Sequence, residues 1–297
     1  MTTVVKIGGA RAVDPAGALA DVAKLVEQDE QVVVVHGGST AVDDTLEELG
    51  EEPTYVETPG GVVGRFTDER TMEVFEMVLP GRLNTDLTAG LQNQGVDAVG
   101  LSGVDGGLIT GPRKSAVRVV EDGTKKIKRG DHSGKITDVN AGLLETLLGD
   151  GYTPVVTVPM LGEESVERSS AESGDEPRSK RFTPVNADAD RAAAAVAGAL
   201  DATLVVLTDV PGILADPDDE STLIERATDP AGLEGIEEAA EGFMTKKVMA
   251  AKEALAGGAR EVVVADANVD APISDAIDGG GTHITADALA ETAEGES

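Results

Sequence analysis

Two apolar segments near the N-terminus end in paired glycines: Val4-Val5-Lys6-Ile7-Gly8-Gly9, and Val32 to Val35 followed by His36-Gly37-Gly38-Ser39. Paired glycines let bare backbone N–H groups approach a ligand that a Cβ would hold away. Lys6 lies inside the first segment, where a half-buried charge costs several kcal/mol without a partner. The simplest partner is an anion, and the glycines beside it point to phosphate. Gly pairs also end strands for ordinary turn reasons, so they gain weight only from residues further along the chain. Asn186-Ala187-Asp188-Ala189-Asp190 stands just before an alanine-rich run. One such side chain suffices to cap a helix. If the segment enters the helix extended, Asn186, Asp188 and Asp190 point to one side and offer an amide and two carboxylates to a common site. Leu207-Thr208-Asp209-Val210-Pro211-Gly212 ends another apolar segment in a turn, and Met244-Thr245-Lys246-Lys247 places lysines at a helix start. The positive end of the helix dipole disfavours a cation there, and an anion would relieve the conflict.

Three near-motifs carry no weight. Gly130 to Ile136 resembles a phosphate loop, but has three rather than four residues between its glycines and ends in Ile136 where a hydroxyl would hold a metal. No Gly-x-Gly-x-x-Gly follows the first strand. His36, His132 and His283 are scattered without ligand spacing or an obvious nucleophile, which argues against a zinc site or an acyl-transfer triad.

The elements that must position these residues alternate. Strand 3–8, helix 15–28, strand 31–36 and helix 40–49 give the rhythm of a parallel sheet covered on both faces. Helical spacing continues over 68–94, with Met72, Phe75, Val78, Leu79 and Leu83 on one side, before a strand at 98–101. Short strands with turns occupy 107–128, where Asp122-Gly123 signals a hairpin. A helix at 137–149 and a strand at 154–158 come next, and 162–181 loses apolar periodicity and reads as a solvated loop. Helix 188–200, strand 203–207, helix 244–257, strand 261–265 and a short helix and strand complete the chain, and the last ten residues read as frayed. The expected fold is α/β, a three-layer αβα sandwich with a mostly parallel central sheet.

With 297 residues and 40% hydrophobic content, the chain can fill a substantial core, built from Val, Ala, Leu and Ile because aromatic residues are only 2%. Cysteine is absent, which excludes disulfides and thiolate metal sites. No apolar run approaches the roughly 20 residues of a membrane span, and no signal segment opens the chain, so a cytoplasmic location is expected. Fifty-five acidic against twenty-four basic residues give a formal charge of −31. Such a charge repels nucleic acid and anionic membranes, and is tolerable where salt shortens the Debye length to about 3 Å. A salt-loving source is expected. Against that background, residues 113–129 hold seven of the twenty-four basic residues: Arg113, Lys114, Arg118, Lys125, Lys126, Lys128 and Arg129. They read either as a solvated hairpin face or as a docking surface for an acidic partner, steered electrostatically.

Lys6-x-Gly8-Gly9, His36-Gly37-Gly38, Gly64-Arg65-Phe66-Thr67, Asn186-x-Asp188-x-Asp190, Thr208-Asp209-Val210-Pro211-Gly212-Ile213 and Met244-x-x-Lys247 together resemble the amino acid kinase family. The resemblance covers the chain except 162–181 and the tail. Within the family the chain is most similar to the branch whose glutamate or aminoadipate substrate is tethered to an amino-group carrier protein. Ser39, the stretch Pro59 to Asp68, Phe75 to Val78, Gly100 to Gly106 and Arg129-Gly130-Asp131 favour that branch. N-acetylglutamate kinases usually have a third glycine at position 39 and an asparagine at 188, where this chain has Ser39 and Asp188.

The resemblance implies transfer of the γ-phosphoryl group of ATP to a side-chain carboxylate, with Mg²⁺ carried mainly by the phosphates. It implies that Lys6 and Lys247 approach the phosphoryl group while Asp190 holds them, with Lys246 the competing assignment for the second lysine. Gly37, Gly38, Arg65 and Asn186 would grip the acceptor. Gly8 and Gly9, Asp209 and the turn Val210 to Gly212 would meet the nucleotide. The implied organisation is an N-terminal lobe (1–185) for the acceptor and dimerisation and a C-terminal lobe (186–297) for ATP. The implied partners are an acidic carrier of the LysW type, docking on Arg113, Lys114, Arg118, Lys126 and Lys128, and a second copy of the chain in a homodimer. A kinase of free N-acetylglutamate and a non-catalytic nucleotide sensor on the same fold are the alternative readings.

Overall fold

The computed structural model describes residues 1–8, 15–61, 63–121, 123–166, 179–240 and 243–290. The chain runs β1 (Thr2–Ile7), α1 (Pro15–Glu27), β2 (Gln31–His36), α2 (Ser39–Glu48), β3 (Tyr55–Glu57), β4 (Val63–Arg65), α3 (Glu69–Glu76), a π-helical segment (Met77–Leu83) and α4 (Asn84–Asn93). It continues through β5 (Ala98–Gly103), β6 (Ile109–Glu121), β7 (Thr124–Gly134), β8 (Asp138–Val139), α5 (Ala141–Gly149), β9 (Thr153–Val166) and β10 (Ser179–Val185). The remainder is α6 (Ala189–Ala199), β11 (Thr203–Thr208), β12 (Arg226–Ala227), α7 (Pro230–Ala239), α8 (Phe243–Ala256), β13 (Glu261–Asp266), α9 (Pro272–Ile277) and β14 (Thr282–Thr285).

The main sheet is ordered β12-β14-β13-β11-β1-β2-β9-β6-β7, with β5 and β10 paired to β9 and β8 to β6; β3 and β4 form a separate hairpin. Its central ladders, β13–β11–β1–β2–β9, are parallel. Strands buried on both faces lack polar alternation, which is why Val4-Val5 and Val32 to Val35 are continuous apolar runs. Side chains still alternate between faces. Val4, Val33, Val35 and Val206 pack into the layer that holds α6 and α8. Val5, Ile7, Val34 and Val205 pack into the opposite layer, with Leu19 and Val22 of α1 and Ile273 of α9. These three layers are the expected sandwich. Lys6 stands in register with Val35 and Val206, so the pleat aims it at the α6 and α8 layer.

Two segments differ from the sequence reading. Residues 162–166 and 179–181 are not loop but parts of β9 and β10, an antiparallel hairpin in which Phe182 opposes Glu163. Cross-strand ion pairs such as Lys180 and Glu163, 2.7 Å apart, support such a ladder from polar residues, so apolar periodicity gives no signal. The middle of that segment, 167–178, lies outside the described residues, as do Gly9 and most of the C-terminal tail. The helical stretch 68–94 is interrupted by the π-helical segment, which contains Pro80. Proline has no N–H to give the preceding turn, so the ladder widens there. Helix α7 escaped the periodicity reading. Its start is nonetheless written in Asp229, whose carboxylate accepts from Gly232 N at 2.8 Å, and in Pro230 at the first helical position.

The fully buried Asp21 of α1 ties the two ends of the chain together. It accepts from Ile273 N (2.8 Å), Ser274 N (2.8 Å) and Ser274 Oγ (2.6 Å) at the start of α9. Asp21→Ala strands these donors in a dry site and is expected to lower unfolding free energy by roughly 2–3 kcal/mol, read by urea denaturation at constant high salt. An unchanged midpoint would show that the cap is not a stability element.

Candidate active site

Strand β1 lies between β2, to which the chain first proceeds, and β11, added much later on the other side. Such a reversal of strand order leaves a crevice beyond the carboxyl ends of the strands. Lys6 sits near the carboxyl end of β1, 6% exposed, and Asp190 lies in the first turn of α6. Lys6 Nζ and Asp190 Oδ1 are 2.6 Å apart. Burial pushes the Asp190 carboxyl up, but Lys6 and Lys247, with Lys246 weaker, outweigh it and hold the group below its ordinary range. Lys247, on the first turns of α8, is lowered from the usual lysine value chiefly by burial. Asp190, Asp209 and Asp188 pull it up, and Lys6 pushes it further down. Lys6, Lys247 and Asp190 thus share a half-dry crevice, with Lys246, Asp188 and Asp209 adding charge of both signs around them.

The three polar residues at 186, 188 and 190 do not share one job. Asp188 caps α6, accepting from Asp190 N (3.0 Å) and Arg191 N (3.1 Å). Only Asp190 reaches Lys6. Asn186 Nδ2 donates to Thr67 Oγ1 (3.0 Å), and Asp131 of β7 accepts from Thr67 N (3.4 Å) and from Ser133 Oγ. The phosphate-loop lookalike is therefore largely strand β7, extended and engaged in fixing the segment Arg65-Phe66-Thr67. A cleft of about 640 Å³ adjoins Asn186 and Asp188 and is lined by Lys114, Lys135 and Arg191; neither catalytic-candidate lysine lines it.

Gly37 and Gly38 join β2 to α2. A Cβ on Gly38 would fall 2.3 Å from Leu83 Cδ1 and 2.8 Å from Leu79 Cδ2, and one on Gly37 would come within 3.1 Å of Ala189. A side chain at 38 would therefore make Leu79 and Leu83 of the π-helical segment shift. Gly8 is half-buried after β1. At the end of β11, Asp209 is exposed and accepts from Thr208 Oγ1 at 3.1 Å. The turn with Val210 and Gly212 rests on Thr282, whose Oγ1 accepts from Ile213 N at 2.8 Å and would lie 2.7 Å from a Cβ on Gly212.

Arg65, on β4, is 6% exposed in its side chain and pairs with Asp43 of α2 at 2.8 Å. Lys246, beside Lys247 in sequence, extends to the same hairpin and donates to Val63 O at 3.0 Å. The sequence reading missed Asp43, Tyr55 and Thr282, because nothing in their spacing marks them, and gave Thr67 no role beyond its place in Gly64-Arg65-Phe66-Thr67.

The basic hairpin β6–β7 has two unlike faces. Val117 opposes Lys128 and Val119 opposes Lys126, whereas Arg118 opposes Ile127 and Ala116 opposes Arg129. Lys128 stacks on Phe66 (4.3 Å to the centroid), Lys126 pairs with Glu121 (2.9 Å) and Arg113 with Glu164 (2.7 Å). Arg118, Lys125 and Arg129 are exposed on the other face around Ile127, itself 65% exposed, and carry no ion pair among the described residues.

The sequence of residues 1–266 matches the amino acid kinase family. The chain belongs to that family. Among curated relatives it is 44% identical over 284 residues to a [LysW]-aminoadipate kinase of Deinococcus radiodurans, covering 95% of this chain and 91% of that protein. It is 41% identical over 285 residues to a [LysW]-aminoadipate kinase of Thermus thermophilus, covering 94% and 98%. An acetylglutamate kinase of Methanopyrus kandleri is 40% identical over 264 residues, covering 88% and 93%. Solved structures agree in fold. N-acetylglutamate synthase from Neisseria gonorrhoeae superposes with a TM-score of 0.69 at 24% identity over 96% of this chain, which spans 59% of the synthase chain. A Giardia carbamate kinase gives 0.64 at 15% identity over 96% and 98% of the two chains. As a member of the amino acid kinase family, the chain is a phosphotransferase.

His36 has no role as a proton acceptor at neutral pH. Buried at the end of β2, its Nδ1 faces Gly37 O (3.1 Å) and its Nε2 receives Asn84 Nδ2 (3.1 Å). Burial lowers its pKa from 6.5 to about 4, opposed by the Gly37 carbonyl and aided by Lys6. Its folded pKa lies below the unfolded value, so its effect is nil above pH 6.5. As pH falls from 6.5 to about 4 the unfolded chain takes up a proton that the folded chain refuses, and stability is lost. His36→Asn is expected to remove up to about 3 kcal/mol of this loss. The unfolding free energies of the two proteins, compared from pH 7 to 4, should diverge in slope; a pH-independent difference would contradict a neutral buried imidazole.

Proposed function

We propose that this chain is an ATP-dependent kinase that phosphorylates the side-chain carboxylate of glutamate or 2-aminoadipate held on an amino-group carrier protein, in arginine or lysine biosynthesis. The observation that carries the reading is the Lys6–Asp190 ion pair, 2.6 Å apart at the end of β1, with Lys247 close enough for its charge to act on both. The kinase names of the relatives from Deinococcus radiodurans and Thermus thermophilus support the carrier-linked acceptor.

A carboxylate oxygen of the acceptor attacks the γ-phosphorus of ATP, the bond from that phosphorus to the β–γ bridging oxygen breaks, and an acyl phosphate and ADP result. A carboxylate with a reference pKa near 4.3 is already ionised at neutral pH, so no base is required. The difficulty is bringing anions together and stabilising charge spread over the transferred oxygens. Lys6 and Lys247 meet that charge, and Asp190 keeps both ammonium groups aimed without neutralising them. Backbone N–H groups around Gly8, Gly37 and Gly38 receive oxygens, and Arg65 and Asn186 hold the acceptor. Asp209, Val210 and Gly212 border the nucleotide. Mg²⁺ would enter on the nucleotide's phosphates and neutralise part of their charge. On this reading residues 1–185 serve the acceptor and 186–297 the nucleotide. The carrier, an acidic protein, meets the outward hairpin face of Arg118, Lys125, Ile127 and Arg129 rather than the engaged Lys126 and Lys128.

The deciding assay offers purified carrier bearing glutamate or aminoadipate, and free N-acetylglutamate, and measures acyl phosphate. Transfer to the carrier-linked amino acid supports the reading. Transfer only to N-acetylglutamate, as the Methanopyrus kandleri relative's name would have it, replaces it, and acceptor-independent ADP binding without turnover leaves a sensor. Lys6→Ala and Lys247→Ala are each expected to lower turnover roughly 10²–10³-fold; wild-type turnover in either removes that residue from the mechanism. Reversing Arg118, Lys125 and Arg129 to Glu should raise the KM for carrier-linked acceptor at least about tenfold, with a flattened salt dependence and unchanged ATP affinity. Unchanged carrier kinetics would defeat docking on that face.

A further inference from the structure

The Arg65 guanidinium is secured along one edge only. Its Nη2 meets Asp43 Oδ2 at 2.8 Å, Ser39 O at 3.0 Å and Tyr55 Oη at 3.1 Å. Its Nη1 is buried and has no hydrogen-bond partner among the described residues. An ionised donor without an acceptor in a dry site is costly, and such an orphan marks a place for a ligand. The anchoring is itself cross-braced. Tyr55 stands opposite Arg65 in the β3–β4 register and donates its hydroxyl to the same Asp43 oxygen at 2.8 Å. The Phe75 ring lies 5.3 Å below the guanidinium carbon, so neither rotation nor withdrawal is free. Asp43 and Ser39 both belong to α2, the helix that begins directly after Gly37-Gly38.

We propose that Asp43 and Tyr55 are positioning residues for the acceptor: they hold the outer edge of Arg65 so that its Nη1 edge takes the acceptor's carboxylate. The inference rests on the reading of Arg65 as an acceptor-binding residue. With Asp43 offsetting its charge, Arg65 supplies direction more than net attraction, and discrimination falls on geometry. Ser39 contributes through its carbonyl and not its side chain.

The test is steady-state kinetics of Asp43→Asn, Tyr55→Phe, Arg65→Lys and the Asp43→Asn/Arg65→Lys double variant, with acceptor and ATP varied separately. Each positioning variant is expected to raise acceptor KM about tenfold while kcat and ATP KM stay within about twofold. The double variant should be no worse than Arg65→Lys alone, because Asp43 acts only through Arg65. Unchanged acceptor KM in a wild type that phosphorylates an acceptor overturns the positioning role and leaves the kinase reading intact. Additive effects, or equal rises in both KM values, also overturn it, since they report a general structural role. A wild type inactive on every acceptor removes both readings.

Discussion

A lysine ammonium and an aspartate carboxylate 2.6 Å apart, both largely out of water, lie where the central strand of the sheet ends. Desolvating such a pair costs several kcal/mol per ion, and its mutual attraction seldom returns a surplus. A well-packed apolar pair would serve stability as well or better. The sequence nevertheless keeps Lys6 between Val35 and Val206 in register, in the middle of an aliphatic layer. The addition of Lys247, depressed by its own burial, makes the arrangement worse as a structural element and better as an anion site. The surround is stiff: alanines along α6, a capped first turn through Asp188, and valines beside Lys6 on β2 and β11, with Thr208 next along that face.

The fold converges other parts on that point. The small β3–β4 hairpin lies outside the main sheet, yet Arg65 fastens it to α2 and Lys246 reaches it from α8 through Val63 O. Residues nearly two hundred positions apart in sequence thus enclose one crevice. Asn186 and Thr67 close another side through β7. None of these links is a large source of stability, since exposed and half-exposed polar contacts seldom are. They fix how the hairpin, α2 and α8 sit against one another, and small displacements of reacting groups matter most for transfer.

Much of this is legible in the sequence. Lys6 stands out because a charge interrupting a buried run has few physical excuses, and the lysines at the start of α8 conflict with the helix dipole. Asp188 and Asp190 are harder to tell apart, because which one caps and which one reaches depends on where α6 begins, to the residue. The faces of the basic hairpin are readable in principle: taking Asp-Gly at 122–123 as a hairpin signal pairs Glu121 with Thr124, the register found between β6 and β7, and counting back sets Lys126 and Lys128 apart from Lys125 and Arg129. Asp43 has no such mark among fifty-five acidic residues, and Tyr55 none among flanking polar residues. Their partner is brought near by a hairpin that packs only after the fold exists. The β9–β10 extension is hidden for a different reason, because polar and charged residues form its ladder and give no apolar period.

The central claim is that Lys6 and Lys247 close on the same migrating phosphoryl group with Asp190 between them. A crystal structure with ADP, Mg²⁺, acceptor and aluminium fluoride in place of that group tests it most directly. The account predicts both ammonium nitrogens within about 3.2 Å of the fluoride positions, with Lys6 still paired to Asp190. Either lysine turned away from the fluoride, or separated from it by ordered water, would contradict the account.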